Sequence, residues 1–245
     1  GALEDIKARD IAAFDVTRTI DPSNGTVLGP TPLWSAIPGG SAAGHAFSKV
    51  AVARVEIANE TRFIAIAGTG RDFADTTPPF EYGRTVVAYD ALTGEELWKF
   101  QTRCPLTSDI SVFETRDDLE PGSPSIDGYI DRAAFADACG YVYKVDPARD
   151  LGGGWNVNDG LGSIAADVVD GQQLYALFST ELTDDALGEA SPVAGTLGAQ
   201  IDGDTGRLVL FFGTGGLESH SVAEANAFYA VYADTGEIRA QMAGA

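Results

Sequence analysis

Short apolar runs of about five residues, rather than long helical stripes, dominate this chain. They are rich in β-branched and aromatic residues and have Gly, Asp or Thr close by, a composition typical of β-strands separated by turns. The clearest runs are 63–67, 85–89, 141–145, 208–212 and 228–232. The pattern therefore predicts an all-β protein.

The predicted strands recur in a fixed order, which indicates an internal repeat. One unit consists of a strand, a Gly-rich turn, a strand ending in Asp, a turn with Gly, and a strand carrying Trp or a substitute. The best copy is 63–100, a second spans 133–155 and ends in Trp155, a third spans 207–240 without Trp, and a partial copy contains Trp34.

A small antiparallel sheet of this kind cannot bury both of its faces alone, so it must stack on a neighbour. Radial stacking of short sheets also protects their edges, which is the β-propeller arrangement. We therefore predict one domain over 1–245, a segment of an incomplete β-propeller with about four blade modules. Their approximate bounds are 1–62, 63–104, 105–156 and 157–245.

Residues 88–98 contain one motif that accounts for the Trp in the repeat. They read A-x-D-x-x-T-G-x-x-x-W, formed by Ala88, Asp90, Thr93, Gly94 and Trp98, and this resembles the docking motif of quinoprotein-type (PQQ-type) propeller blades. Asp90 and Thr93 can accept hydrogen bonds from turn amides, and Gly94 permits a left-handed turn. Trp98 then places a large apolar ring against the adjacent module.

A second resemblance covers most of the chain. The order of segments 11–34, 46–55, 63–70, 88–98, 106–112, 126–146 and 207–236 resembles the propeller domain of PilC/PilY-type proteins, the tip adhesins and biogenesis factors of type IV pili. The resemblance implies a cell-surface or outer-membrane-associated module, secreted through the periplasm, that supports pilus assembly or adhesion. Its partners would be minor pilins, other cell-surface proteins or an external surface. Because the family domain is larger and the chain opens on Gly1, we expect a piece of a longer protein.

Members of this family often carry an Asp-rich calcium loop, D-x-D-x-D-G-x-x-D. The matching positions here are Ser123, Ser125, Asp127 and Asp131, so two carboxylates are replaced by hydroxyls. Calcium takes six to eight oxygen ligands, and its affinity follows the number of carboxylates. Two readings stay open: a degenerate calcium loop, or a turn in which Asp127 caps the backbone and Asp131 begins a strand.

Composition and charge narrow the choice of partners and of chemistry. The net charge of −20, from 36 acidic and 16 basic residues, disfavours nucleic acid and anionic lipid surfaces. No apolar run approaches the roughly 20 residues of a membrane span. The two histidines, His45 and His220, belong to no paired catalytic constellation. We expect no enzyme and no cofactor other than calcium. The alternatives are a structural scaffold or filament component and, less favoured, a fragment of a PQQ-dependent dehydrogenase.

The chain has two cysteines, Cys104 and Cys139. A disulfide between them would contribute roughly 3–4 kcal/mol in the chain-entropy model and would require an oxidising compartment. The alternative is a pair of buried free thiols. We predict the disulfide.

Overall fold

The computed structural model describes residues 10–17, 20–45, 48–57, 59–72, 80–114, 128–147, 162–169, 172–180, 191–215 and 226–243. These residues form β-strands and one short 3-10 turn at Gly40–Ala42, so the predicted all-β class is confirmed. In chain order the strands are β1 (Ile11–Asp15), β2 (Thr31–Ala36), β3 (Ala51–Ile57), β4 (Glu60–Gly68), β5 (Thr85–Asp90), β6 (Glu96–Gln101), β7 (Ser111–Phe113), β8 (Arg132–Ala136), β9 (Tyr141–Val145), β10 (Ile164–Val169), β11 (Gln172–Ala176), β12 (Phe178–Ser179), β13 (Gly198–Ile201), β14 (Leu208–Gly213), β15 (Ala227–Tyr232) and β16 (Ile238–Ala243).

The strands assemble into three four-stranded antiparallel sheets and two hairpins. Sheet 1 is the meander β3-β4-β5-β6, sheet 2 has the order β12-β9-β8-β7, and sheet 3 is the meander β13-β14-β15-β16. The amino-terminal hairpin consists of β1 and β2, and a second hairpin consists of β10 and β11. Three four-stranded sheets thus follow one another along the described chain.

Sheet 2 lies between sheets 1 and 3, and its strands show this in their sequence. Alternate residues of a strand point to opposite faces. Ala133 and Phe135 of β8 pack into the apolar core shared with sheet 1, whereas Ala134 and Ala136 pack into the core shared with sheet 3. All five residues of β9 are buried. Apart from Arg132 at the start of β8 and the buried Lys144 in β9, these two strands are apolar on both faces, as expected for a sheet covered on both sides.

Sheet 1 also has two faces of alternating residues, but one of its faces is only partly covered. In β3 the residues Ala53, Val55 and Ile57 are buried, whereas Val52 is 62% exposed. The amino-terminal hairpin lies over part of this second face, where the rings of Trp34 and Tyr89 are 5.7 Å apart.

The sheets do not begin and end at the predicted module boundaries. The boundary between residues 62 and 63 falls inside β4, which spans Glu60–Gly68. β3, in the first predicted module, pairs with β4 along its whole length and so belongs to the same sheet. β12 pairs with β9 and so belongs to sheet 2, although it lies in the segment assigned to the fourth module. A pattern of alternating residues marks a strand without showing which neighbour it pairs with, and this produced both differences.

Sheet 1 packs on sheet 2 and sheet 2 packs on sheet 3. Among the described strands no pairing joins sheet 3 to the amino-terminal hairpin. In this part of the chain no helix is long and apolar enough to cross a membrane.

Candidate functional site

A six-residue turn occurs several times in the described chain, and two of its copies lie against a residue of the preceding segment. In each copy the first residue donates its amide to the carbonyl of the sixth, and the fifth, a glycine, donates to the carbonyl of the first. Each of these glycines is left-handed, with φ between 71° and 75°. The copies are Asp21–Thr26, Asp90–Glu95, Asp202–Arg207 and Tyr232–Glu237.

The copy at 90–95 belongs to the predicted docking motif. The Asp90 carboxylate accepts hydrogen bonds from the amides of Leu92, at 3.0 Å, and Thr93, at 2.9 Å. Burial raises the pKa of Asp90, but these hydrogen bonds outweigh it and hold the pKa below its usual value. The ionised side chain therefore stabilises the turn that follows β5.

Trp34, in the amino-terminal hairpin, lies directly on this turn. Its indole N–H donates to the carbonyl oxygen of Ala91 at 3.0 Å. A Cβ atom placed on Gly94 would come within 2.6 Å of Trp34 Cγ, so only glycine fits beneath the ring. Gly94 therefore serves both the left-handed turn and the seat of the preceding aromatic residue.

Trp98 of sheet 1 repeats this contact one sheet further on. Its side chain is 7% exposed and lies in the core between sheets 1 and 2. Its indole N–H donates to the carbonyl oxygen of Pro147, which follows β9, at 3.1 Å. In both strands the Trp follows an irregularity in register and pairs with an alanine, Ala13 or Ala88. The small partner leaves room for the indole.

The contact between sheets 2 and 3 uses a different residue. The predicted degenerate motif at 234–237 forms the last copy of the turn, and a Cβ atom on Gly236 would lie 2.0 Å from the carbonyl oxygen of Leu177. Leu177 is fully buried and donates its amide to Val142 of β9. The main chain of Leu177 therefore lies against the turn of sheet 3, whereas the side chain of Trp34 lies against the turn of sheet 1. Trp155, which the repeat suggested, lies outside the described residues.

The Cys104–Cys139 disulfide is present and joins the chain leaving sheet 1 to the turn between β8 and β9. Beside it lies Asp137, a fully buried residue that no motif in the sequence marks. Its carboxyl group accepts hydrogen bonds from the amides of Cys104, Cys139 and Tyr141 and from the hydroxyl of Tyr143, at 2.9–3.1 Å. One side chain thus holds both half-cystine segments.

Burial determines the ionisation of this cluster. It raises the pKa of Asp137 to about 7, although the four donated hydrogen bonds act in the opposite direction. Burial and then the Asp137 charge raise the pKa of Tyr143 well above its usual value. The Asp137 carboxyl group and the Tyr143 hydroxyl, both of which can carry a proton, therefore lie in contact beside the disulfide that links sheets 1 and 2.

A second polar hub joins segments that precede the first strands of the three sheets. Asp109 accepts hydrogen bonds from the amide of Lys49, at 2.9 Å, and the hydroxyl of Thr196, at 2.6 Å, and the Lys49 ammonium lies 3.2 Å away. Although burial raises the pKa of Asp109, these partners bring it below the usual value.

Only one of the four residues of the predicted calcium loop, Asp131, lies within the described residues. Ser123, Ser125 and Asp127 lie outside the described residues, and Asp131 immediately precedes β8, which begins at Arg132. The described ranges contain no group of three or more His, Cys, Asp or Glu side chains arranged to hold a metal ion. The degenerate calcium loop therefore stays a prediction.

The acidic turn that follows β13 forms the hairpin connection to β14. Asp202 accepts hydrogen bonds from the amide of Asp204, at 2.9 Å, and from Arg239 Nε, at 3.0 Å, which together with Tyr232 lower its pKa to about 2.

These contacts define the class of protein by its architecture: an all-β chain whose antiparallel sheets stack in sequence order through Trp- or Leu-on-turn contacts. The crystal structure of the Pseudomonas aeruginosa PilY1 C-terminal domain has the same fold over 92% of this chain, with a TM-score of 0.58 and 19% sequence identity. The chain spans 43% of that structure. No protein-family model matches the sequence, and neither does any curated protein. The likeness establishes a PilY1-like fold, which is the part of the predicted family resemblance that is confirmed.

Proposed function

We propose that this chain is a non-catalytic, extracytoplasmic segment of a type IV pilus-associated protein, with its three sheets acting as blades of an incomplete β-propeller. The observation that carries the proposal is the fold shared with the PilY1 C-terminal domain over 92% of the chain. The Trp-on-turn contacts support it independently, because they repeat from one sheet to the next as blade contacts do.

Two features support an extracytoplasmic location for the proposed segment. The Cys104–Cys139 bridge fits an oxidising environment outside the cytoplasm. The charge of −20 keeps such a segment soluble and directs it towards cationic or neutral protein surfaces. The proposed partners are minor pilins, other pilus or cell-surface proteins, or an external surface.

The test is genetic and uses matched variants. Loss of the gene should reduce the number of surface pili or the adhesion of cells, and the wild-type gene should restore both. A gene with Trp98→Ala should restore them poorly, because the variant removes an inter-sheet contact. A gene with Val27→Ser should restore them fully, because Val27 is 76% exposed and lies away from the stacked cores. Normal piliation and adhesion in the deletion strain would contradict the proposal.

The structural alternative is a scaffold or filament component, and electron microscopy of the labelled native protein separates the two. Label at pilus tips or at the cell envelope supports the proposal, whereas a regular repeat along a filament supports the alternative.

The enzymatic alternative, a PQQ-dependent dehydrogenase fragment, predicts a quinone absorbance band in the natively purified protein. The proposed function predicts no turnover of alcohols.

A further inference from the structure

Sheet 3 has one face turned away from sheet 2, and this outer face carries partly exposed apolar side chains. Phe228 is 43% exposed and Met242 is 65% exposed. The rings of Phe211 and Phe228 stack at 6.2 Å with an angle of 22° between them. A contiguous apolar surface on a β-sheet is characteristic of a contact surface.

The chain itself shows what covers a face of this kind, because sheets 1 and 3 have matching strand registers. Aligning the turn glycines Gly94 and Gly236 makes cross-strand partners in one sheet correspond to partners in the other. The matching pairs are Ile66–Ala88 with Phe211–Ala230, Ala88–Trp98 with Ala230–Ala240, and Val86–Phe100 with Phe228–Met242. The outer face of sheet 3 is therefore equivalent to the face of sheet 1 that packs on sheet 2.

The two faces differ greatly in exposure. In sheet 1, Trp98 is 7% exposed and Phe100 is fully buried beneath sheet 2. At the equivalent positions of sheet 3, Ala240 is exposed and Met242 is largely exposed. The same architectural face is thus closed by a sheet in one place and open in the other.

The open face also has a notch where sheet 1 has its indole. Ala240 occupies the position of Trp98 and pairs with another alanine, Ala230. A concavity of about 340 Å³ lies there, with Val209 and Phe211 among its apolar lining and the Asp202–Arg239 ion pair at its rim. Because this sheet contributes no large side chain here, a covering sheet would have to supply one.

The dimensions of the face argue for a tethered partner rather than a second copy. One strand of four residues and three of six present a face whose pairing would bury at most on the order of 800 Å² in total. Stable interfaces between separate proteins bury about 1,200–2,000 Å². A sheet in the same polypeptide needs no such area, because its effective concentration is high.

We propose that the outer face of sheet 3 is the docking surface for a further β-sheet of the same polypeptide, which inserts a large apolar side chain into the notch at Ala240. This inference rests on the proposed stack of blades and names the next contact in it. Sheets 1 and 2 each use this kind of face on the sheet that follows them in the chain. Sheet 1 inserts its own Trp98 into the core that it shares with the following sheet. At sheet 3 the equivalent residue is Ala240, so the large side chain comes from the following sheet instead.

Met242 allows a direct test, because it is the only methionine in the 245 residues. Hydrogen peroxide transfers one oxygen atom to the thioether sulfur and leaves as water, at a rate that follows exposure. The rate at Met242 is measured by peptide mass spectrometry in the recombinant 245-residue chain and in the native protein recovered from cells. We expect the native protein, as a monomer, to be oxidised at least about tenfold more slowly at this residue.

Two matched variants show whether the protection comes from this face. Phe228→Asp places a charge on the outer face and should raise the Met242 oxidation rate of the native protein to that of the recombinant chain. Val27→Asp, at another exposed apolar position, should leave the protection intact. Urea unfolding of both variants in the recombinant chain checks that each one folds.

Equal oxidation rates in the recombinant and native proteins would overturn the proposal, as would a native polypeptide confined to these 245 residues. Protection found only in a dimer would assign the face to a second copy instead. Protection that survives Phe228→Asp, or that Val27→Asp also removes, would place the contact elsewhere. None of these readouts depends on pili, so failure of this inference is distinguishable from failure of the proposed function.

Discussion

Replacing Asp137 with asparagine tests whether burial or hydrogen bonding controls the carboxyl group beside the disulfide. Asp137 is fully buried, and its folded pKa of about 7 lies well above the value of 3.8 for an exposed aspartate. Between these two values the folded protein keeps a proton that the unfolded chain has released. Stability from this group is therefore fully present below pH 3.8 and is lost as the pH rises towards 7.

The size of the effect follows from the difference between the two pKa values. The gap is about three pH units, and each unit corresponds to about 1.36 kcal/mol, so the whole change is on the order of 4 kcal/mol. Asparagine has nearly the same shape but does not titrate. The difference in unfolding free energy between wild type and Asp137→Asn therefore isolates this group from all other acids.

The assay is urea unfolding of both proteins at intervals between pH 4 and pH 8. We expect the stability advantage of wild type over Asp137→Asn to shrink by several kcal/mol across this range. Asp109→Asn is a control that should show almost no pH dependence over this range, because the pKa of Asp109 is lowered and its contribution is lost only as the pH falls through that lowered value. A wild-type advantage over Asp137→Asn that stays constant or grows with pH would refute the reasoning. It would show that the four donated hydrogen bonds keep the carboxylate ionised.

Three further predictions concern the contacts between sheets. Trp98→Ala should cost about 3–5 kcal/mol in urea unfolding, and a cost below about 1 kcal/mol would contradict the inter-sheet role of the indole. Trp98→Phe should retain much of the packing but lose the hydrogen bond to Pro147, worth about 1 kcal/mol. Equal losses of stability in Trp98→Ala and Trp98→Phe would contradict the view that packing contributes more than this hydrogen bond. Reduction of the Cys104–Cys139 bridge should lower the melting temperature by on the order of 10 °C in calorimetry, from a loss of about 3–4 kcal/mol, and an unchanged melt would mean that the bridge adds nothing.

The fold class and one of the docking turns were predictable from local pattern. The strands identified from short β-rich runs are present, and A-x-D-x-x-T-G-x-x-x-W predicted a turn at Gly94 followed by a strand carrying Trp98. These features depend on residues within about ten positions of each other. Turn chemistry and strand periodicity operate at that range.

The contacts between distant segments were not predictable in this way. Leu177 lies beneath Gly236, far along the chain, and nothing in its neighbourhood resembles a docking motif. In the sequence, Asp137 has the neighbours of an ordinary residue between a strand and a turn. Its role in holding the disulfide depends on a hydrogen bond from Cys104, 33 positions away. The pairing of β3 with β4 was likewise invisible, because alternation shows that a strand has two faces and does not identify its partner.

Sheets 1 and 3 each hold a residue of the preceding segment against the glycine of a turn, Trp34 against Gly94 and Leu177 against Gly236. Three glycines provide a matched comparison, because Gly94, Gly206 and Gly236 occupy the same turn with the same left-handed backbone. A Cβ atom at Gly206 meets nothing within 4 Å, whereas at Gly94 and Gly236 it meets Trp34 and the Leu177 carbonyl oxygen. Replacing any of them with alanine costs about 1–2 kcal/mol from the left-handed backbone alone.

The decisive measurement is the unfolding free energy of Gly94→Ala, Gly236→Ala and Gly206→Ala in urea. The stacked-sheet account predicts that the first two lose at least about 1–3 kcal/mol more than Gly206→Ala, because each also forces apart a contact between sheets. Equal losses at all three positions would contradict the account, since they would show that nothing from the preceding segment lies on these turns.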